Sequence, residues 1–157
     1  MRAVIQRVNR ASVSVAGQTT GSIERGLCLL IGITHDDTQD DLKYIVEKTL
    51  NMRIFPEESG NSGFDQSVQD IAGGILLVSQ FTLYANTRKG RRPGFTDAAR
   101  PEQAEQMFND LFESFKINSS LRVETGVFGA SMQVEIENAG PVTIILDSED
   151  GNTPRRS

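Results

Sequence analysis

Hydrophobic and polar residues alternate along the start of this chain, as in a β-strand with one buried face. The alternation covers residues 3–15 and stops at Ala16-Gly17-Gln18, where a turn is expected to lead into a return strand through Ser22-Ile23. Residues 27–33 are almost all apolar, as in a central strand that is buried on both faces. The first third of the chain therefore predicts three strands.

Two segments carry the spacing of amphipathic helices. Residues 34–38 supply helix-start residues, and apolar side chains recur at helical spacing across 39–51. Pro101 suits the first turn of a second helix. The apolar stripe of that helix consists of Ala104, Met107, Phe108, Leu111, Phe112 and Phe115. We interpret this stripe as the face that packs on a sheet.

The remaining strands complete an α+β prediction. A hairpin at Gly73-Gly74 is expected to lead into a strand over 75–83, and two or three strands are expected between Leu121 and Leu146. This order favours a mainly antiparallel, barrel-like sheet with two main helices packed on one side. Residues 1–147 are predicted to form a single domain, followed by a polar, flexible tail at 148–157.

Composition restricts the class of protein. The 157 residues carry a net charge of −5, which argues against a protein that coats nucleic acid through bulk charge. The single cysteine, Cys28, excludes an internal disulfide and is predicted to be a buried core thiol. The N-terminus lacks a signal-peptide pattern, and the longest apolar run is too short to span a membrane. We therefore expect a cytoplasmic protein with no membrane partner.

Catalytic motifs of the common hydrolases are missing. The sequence has no nucleophile elbow, no phosphate-binding loop of the Walker type and no H-E-x-x-H. His35 is the only histidine, and beside Asp36 and Asp37 we interpret it as a surface or capping residue. The sequence thus argues against a metal site and against a Ser-His-Asp triad.

The end of the strand predicted over 75–83 is a candidate site. Alternation places Gln80 and Thr82 on the face opposite Ser79 and Phe81. This pair, together with backbone N–H groups, can position a substrate and stabilise an oxyanion, or the hydroxyls can simply be satisfied within the sheet. No base lies near Thr82 in sequence, so any catalysis here needs reactivity supplied by the substrate.

A basic loop at residues 85–96 follows this strand directly. Its cations are Arg88, Lys89, Arg91 and Arg92. Such a run is either a solvated face or a site for a phosphate-bearing partner. Gly90 permits close approach of a backbone, and Phe95 offers a surface on which a base can stack.

A tetrad near the C-terminus, Asn138-Ala139-Gly140-Pro141, separates two further apolar patterns. Residues 132–137 alternate, and Val142-Thr143-Ile144-Ile145 is largely apolar. The tetrad is therefore predicted to form the tip of a hairpin, with a Gly-Pro peptide that can hold either isomer. By itself this pattern is also compatible with an ordinary turn.

Five segments together resemble the D-aminoacyl-tRNA deacylase family. In chain order they are Arg7-Val8-x-x-Ala11-x-Val13, Ser79-Gln80-Phe81-Thr82-Leu83-Tyr84, Lys89-Gly90-x-Arg92-Pro93, Thr125-Gly126-x-Phe128-Gly129-Ala130-x-Met132 and Asn138-x-Gly140-Pro141-Val142-Thr143. The resemblance implies a hydrolase of the ester between a D-amino acid and the 3′-terminal adenosine of tRNA, acting also on mischarged glycyl-tRNA. It implies translation proofreading without metal or cofactor, by a homodimer.

The same resemblance assigns roles to residues. Gly140-Pro141, as a cis peptide inserted into the partner's site and braced by Arg7, would exclude L-amino acids. The catalytic segment would be Ser79, Gln80, Phe81 and Thr82, with help from the 2′-hydroxyl of the terminal ribose. The tRNA-binding residues would be Arg88, Lys89, Arg91 and Arg92. The rest of the pocket would be Phe128, Gly129, Ala130 and Met132.

Two positions depart from the family pattern. Ala139 stands where aspartate is common, and Gly94 where serine is common. Rival hypotheses are a relaxed sibling deacylase with a trans Gly-Pro peptide, a non-catalytic nucleic-acid-binding protein that uses the basic loop, and a purely structural oligomer.

Overall fold

Six strands and two α-helices make up the part of the chain that the computed structural model describes, residues 1–59 and 63–152. The strands are β1 (Arg2–Val15), β2 (Gln18–Ile23), β3 (Gly26–Gly32), β4 (Gly74–Ser79), β5 (Val123–Thr125) and β6 (Gln133–Asp147). The helices are α1 (Gln39–Asn51) and α2 (Pro101–Asn118), and short 3₁₀ helices cover Phe81–Tyr84 and Ser148–Asn152. The α+β class is confirmed.

The sheet is mixed, so the prediction of a mainly antiparallel sheet is wrong. β1 pairs antiparallel with β2, β3 and β6, whereas β4 runs parallel to β3 and β5 runs parallel to β4. The parallel pairs arise because α1 connects β3 to β4 and α2 connects β4 to β5. A helical crossover returns the chain in the same direction, whereas a hairpin reverses it. The hairpin predicted at Gly73-Gly74 is accordingly absent, and the sheet is nearly closed and barrel-like.

The C-terminal hairpin is also absent. β6 continues through the tetrad and pairs with β1 on both sides of it, from Gln133 opposite Ser14 to Asp147 opposite Arg2. The pairing is irregular between Gln6 and Arg10 of β1. The tetrad is therefore a bulge within one long strand, because both flanking segments find the same partner strand.

Apolar residues form a core on each face of the sheet. The large core lies between the sheet and the two helices, and Ile5, Leu29, Leu77, Ile45 and Phe115 are buried in it. The small core on the opposite face includes Val13, Cys28 and Leu76. Cys28 is fully buried as predicted, and burial raises the pKa of its thiol to about 12.

Helix bounds match the sequence prediction closely. α1 begins after Thr38, whose backbone N–H donates to the carboxylate of Asp41 over 2.8 Å. α2 begins with Pro101 and buries Ala104, Phe108, Leu111 and Phe115. No helix in the described part of the chain is long and apolar enough to cross a membrane.

The described part of the C-terminal segment contacts the N-terminus of the chain. Residues 148–152 form a 3₁₀ helix, and the backbone N–H of Ser148 donates to the carbonyl of Met1 over 2.9 Å. The Ser148 side chain is buried and accepts a hydrogen bond from the amino group of Met1 over 2.7 Å. Residues 153–157 lie outside the described residues.

Candidate functional site

A cavity of about 580 Å³ opens where β3 and β4 end. Its walls come from these strand ends, the segment before α2, the start of α2 and the connection from β5 to β6. They are formed by Ile31, Ile33, Val78, Ser79, Gln80, Phe81, Phe95, Ala98, Ala99, Arg100, Pro101, Ala104, Phe128, Gly129, Ala130, Met132 and Val134. The cavity is mostly apolar with a few polar groups at one wall, the usual character of a small-molecule site.

The predicted catalytic segment lies at this cavity but has a different backbone. β4 ends at Ser79, and Phe81–Tyr84 is a 3₁₀ helix, so the predicted strand over 75–83 and its alternation are wrong. The chain leaves the sheet after Gln80, whose N–H donates to the carbonyl of Ile31 over 2.7 Å. Ser79, Gln80 and Phe81 line the cavity, whereas Thr82 does not.

Thr82 is linked to the cavity through Gln80. The side-chain amide of Gln80 donates a hydrogen bond to the hydroxyl of Thr82. The first N–H groups of a helix have no partner within that helix, so those of Phe81 and Thr82 are available at the start of the 3₁₀ helix. Donors of this kind can stabilise an oxyanion, and no side-chain base among the described residues that line the cavity could activate a nucleophile.

All four residues of the predicted pocket line the same cavity. Phe128, Gly129, Ala130 and Met132 lie in the connection between β5 and β6. The ring of Phe128 packs on that of Phe108, with centroids 6.0 Å apart. The rings of Phe81 and Phe95, which also line the cavity, meet edge to face at 5.0 Å. Segments far apart in sequence therefore form one site with aromatic walls.

The cavity contains little acid–base chemistry. No histidine, cysteine, aspartate or glutamate is among the described residues that line it. His35 lies elsewhere, exposed, with Nε2 2.8 Å from the carbonyl oxygen of Thr96. No group of histidine, cysteine and carboxylate side chains within the described residues is arranged to hold a metal ion. Any ester hydrolysis here depends on positioning and on groups of the substrate.

Sequence reasoning missed the segment that precedes α2. Ala98, Ala99 and Arg100 line the cavity beside Phe95, which the sequence had indicated only as a possible stacking surface of the basic loop. The segment is held in place by the end of β3, because Ala99 N–H donates to the carbonyl of Ile33 over 2.9 Å. Pro101 indicated where a helix begins, but nothing in the sequence indicated that this helix begins at the cavity. That position depends on the end of β3, which holds the preceding segment in place.

The basic loop is a closed, exposed projection. Asn86 and Gly94 exchange backbone hydrogen bonds of 2.7 and 2.9 Å at its base. Its cations, Arg88, Lys89, Arg91 and Arg92, are all exposed and make no ion pair with any carboxylate in the described part of the chain. Unpaired cations in an acidic protein are suited to phosphate contacts.

The tetrad is a bulge within β6 and is held by side-chain hydrogen bonds. Arg7 Nε donates to the carbonyl of Ala139 over 2.8 Å, and Arg7 Nη1 donates to the carbonyl of Ile54 over 2.8 Å. The Asn138 side chain accepts from the N–H of Val142 over 2.9 Å. The Gly140-Pro141 peptide is cis, and both residues are exposed. Neither residue is among those that line the cavity of the same chain.

Neither departure from the family pattern disturbs this geometry. Ala139 contributes its backbone carbonyl to Arg7, so an aspartate side chain is not needed for that bond. A Cβ at Gly94 would meet only the carbonyl oxygen of Asn86, at 3.9 Å, so serine and glycine both fit.

Comparison with known proteins agrees over nearly the whole chain. Residues 4–147 match the model of the D-Tyr-tRNA(Tyr) deacylase family. The D-aminoacyl-tRNA deacylase of Chloroherpeton thalassium is 51% identical over 148 residues, which cover 94% of this chain and 96% of that protein. The protein of the same name from Aquifex aeolicus is 52% identical over 150 residues, covering 96% and 99%.

Two solved structures share the fold. One, described as the c-Myc DNA Unwinding Element Binding Protein, has a TM-score of 0.88 and 47% identity and covers 94% of this chain and 98% of that chain. The other, described as "a probable eukaryotic D-amino acid tRNA deacylase", has a TM-score of 0.79 and 19% identity, covers 92% and 97%, and shows the fold alone. On the match of residues 4–147 and on relatives about half identical along their full length, the chain belongs to the D-Tyr-tRNA(Tyr) deacylase family.

Proposed function

We propose that this protein hydrolyses D-aminoacyl-tRNA to a free D-amino acid and tRNA. The observation that carries the proposal is the cavity shared by Ser79–Phe81 and Phe128–Met132. These are two of the segments in which the chain resembles the deacylases, and the fold brings them from distant parts of the sequence to one place. The proposal includes a cytoplasmic role in translation proofreading, because charged tRNA is the substrate.

Aromatic walls and unpaired cations suit the end of a tRNA. Phe81, Phe95 and Phe128 offer faces or edges for the terminal nucleobase, and stacking on such rings contributes about 1–3 kcal/mol per base. The basic loop, with Arg88, Lys89, Arg91 and Arg92, lies next in sequence to Phe81–Tyr84. We propose that it binds the tRNA backbone while the cavity takes the aminoacylated nucleoside.

The chemistry relies on the substrate's own hydroxyl. Water adds to the ester carbonyl, the bond between the carbonyl carbon and the ribose oxygen breaks, and the ribose oxygen takes a proton. Since the cavity walls carry no side-chain base, the neighbouring 2′-hydroxyl of the ribose assists the proton transfer. The N–H groups of Phe81 and Thr82 stabilise the oxyanion, and Gln80 orients the acyl group.

Chiral selection is assigned to the tetrad of a second subunit. Gly140 and Pro141 are exposed and do not line the cavity of their own chain, which suits insertion into another chain. β6 pairs on one edge with β1 and has no partner on its other edge among the described strands. Ile145 of β6 is 73% exposed. We propose a homodimer in which the tetrad excludes an L-side chain and admits D-amino acids and glycine.

The direct test compares D-tyrosyl-tRNA, L-tyrosyl-tRNA and glycyl-tRNA, each incubated with the protein and a chelator. Loss of the D-ester and the glycyl ester, with the L-ester intact, is the expected result. Hydrolysis of both tyrosyl esters would instead support the relaxed sibling deacylase. Retention of all three esters would contradict a deacylase.

A non-catalytic nucleic-acid-binding protein is the second candidate, because one relative of the same fold is described as a DNA-element-binding protein. Two variants separate the candidates. Replacing Arg91 and Arg92 with glutamine weakens nucleic-acid binding under either hypothesis. Gly140→Ala impairs only a deacylase, and leaves binding of uncharged tRNA unchanged.

A further inference from the structure

We propose that Arg100 binds the phosphate that joins the terminal nucleoside of the substrate to the preceding nucleotide. This inference rests on the proposed function and names the part of the substrate that reaches the cavity rim. Arg100 immediately precedes α2 and lines the cavity, on a different segment from the basic loop. It lies outside the five segments in which the chain resembles the deacylases.

The charge distribution of the cavity singles out Arg100. Among the described residues that line the cavity, Arg100 is the only one with a charged side chain. The residue is exposed, and its guanidinium makes no ion pair with a described carboxylate. An apolar, aromatic cavity with one free cation at its rim suits a ligand with a flat apolar body and a single anionic group.

The position of Arg100 is fixed by its backbone. Its carbonyl accepts from the N–H of Ala104 over 2.9 Å, and the following Pro101 restricts the chain at the first residue of α2. The neighbouring Ala99 is held to Ile33 by a backbone hydrogen bond of 2.9 Å. The backbone of Arg100 is therefore held in place, and only the outer atoms of its side chain need to become ordered when a ligand binds.

The substrate offers one anionic group that Arg100 can bind at the cavity, the 5′-phosphate of its terminal nucleoside. The carboxyl of the amino acid is esterified and carries no charge, and D-tyrosine has a neutral side chain. A nucleoside seated in the cavity has its 5′-phosphate outside, at the rim. A guanidinium binds such a phosphate through two parallel hydrogen bonds, which a lysine ammonium does not reproduce.

The test uses three substrates: 3′-O-D-tyrosyl-adenosine, the same ester with a 5′-phosphate, and D-tyrosyl-tRNA. Arg100→Gln is expected to raise KM about tenfold for the two phosphate-bearing substrates, at unchanged kcat, and to leave the phosphate-free ester unaffected. Arg100→Lys is expected to fall between the wild type and Arg100→Gln. The slope of log affinity for tRNA against log salt is expected to fall by about one.

Lys43→Gln removes the same charge from α1, does not line the cavity, and is expected to behave as the wild type. An equal KM increase on the phosphate-free ester, or no increase on any substrate, would overturn the proposal. If the wild type hydrolyses none of these esters, the proposed function fails, and Arg100 is then tested by binding of adenosine 5′-monophosphate against adenosine. Loss of the preference for the monophosphate in Arg100→Gln would still support the phosphate contact, and an unchanged preference would refute it.

Discussion

Gly140 occupies a position that a larger residue does not fit without a shift of its surroundings. Its φ is +131°, and a Cβ there would lie 2.9 Å from Arg7 Nη2 and 3.0 Å from Val142 Cγ2. Arg7 cannot move away freely, because its other nitrogen atoms bind the carbonyls of Ala139 and Ile54. Any side chain at position 140 therefore disturbs the hydrogen bonds through which Arg7 holds the tetrad.

Gly140→Ala is expected to lower kcat/KM for D-aminoacyl-tRNA at least tenfold, because a small displacement of a positioning group is costly in catalysis. Strain at the positive φ lowers the free energy of unfolding by about 1–3 kcal/mol, so the protein stays folded. Gly94→Ala is the matched control, since a Cβ there makes only an ordinary contact of 3.9 Å with the carbonyl oxygen of Asn86. Steady-state kinetics with full activity in Gly140→Ala would contradict the role of the tetrad.

Thr49 is a buried residue of α1 whose hydroxyl has no hydrogen-bond partner among the described residues. Thr49→Val removes the hydroxyl and keeps the shape, so it is expected to raise the free energy of unfolding by about 1 kcal/mol. Thr49→Ser keeps the hydroxyl and loses the methyl group, and is expected to destabilise by about 1 kcal/mol. Urea denaturation measures both values. Destabilisation by valine would mean that the hydroxyl is bound.

At the scale of elements, the ends of β1 and β6 are joined by an ion pair. Arg2 Nε donates to Asp147 Oδ2 over 2.8 Å, and the guanidinium lies 4.5 Å from the centre of the Tyr84 ring. Burial alone raises the pKa of Asp147, but the hydrogen bond and the charge of Arg2 outweigh it and hold that pKa below the ordinary 3.8. The ionised carboxylate is therefore favoured by folding.

The lowered pKa of Asp147 determines how the contribution of this ion pair to stability depends on pH. The stabilisation is fully present above pH 3.8 and is lost as the pH falls through the lower pKa of the folded state. Asp147→Asn is expected to lower the free energy of unfolding at pH 7 by up to about 1 kcal/mol, because the pair is partly solvated. The difference between variant and wild type is expected to vanish in strong acid. Glu137→Gln breaks the more exposed pair with Arg10 and serves as the control.

The sequence predicted the helices more accurately than the directions and ends of the strands. The bounds of α1 follow from local signals, the cap at Thr38 and the spacing of Leu42, Ile45 and Val46, so sequence alone located that helix. Strand direction is not local: the apolar residues of β4 are compatible with either a hairpin or a crossover. The end of β4 at Ser79 depends on Gln80 bonding to Ile31, a contact between distant residues, which the alternation does not contain.

The candidate site was predictable to a similar extent. Gln80 was indicated by the end of the predicted strand and Phe128 by the resemblance, and both line the cavity. Arg100 was not found, because nothing in its sequence neighbourhood indicates the position of α2 relative to β3. The sequence indicated the tetrad but not that it forms a bulge. The bulge arises because the segments on both sides of the tetrad pair with β1.

For the molecule as a whole, the proposed homodimer makes activity dependent on association. Ile145→Glu places a charge on the exposed face of β6 and is expected to yield a folded monomer with little deacylase activity. Ile117→Glu, on α2 and 80% exposed, is the control and is expected to keep both dimer and activity. Sedimentation velocity and activity across dilution measure the outcome. A fully active wild-type monomer would contradict the shared site.

The bulge in β6 also limits how the family can change in length. Between Arg10 and Gln6, β1 advances four residues while β6 advances six, from Glu137 to Thr143. Beyond this interval Ile144 and Leu146 face the large core. Inserting or deleting one residue there would turn both side chains to the opposite face, since strand faces alternate. We therefore expect that insertion or deletion of a single residue is tolerated in surface connections but not here, where it would also change the spacing of the tetrad.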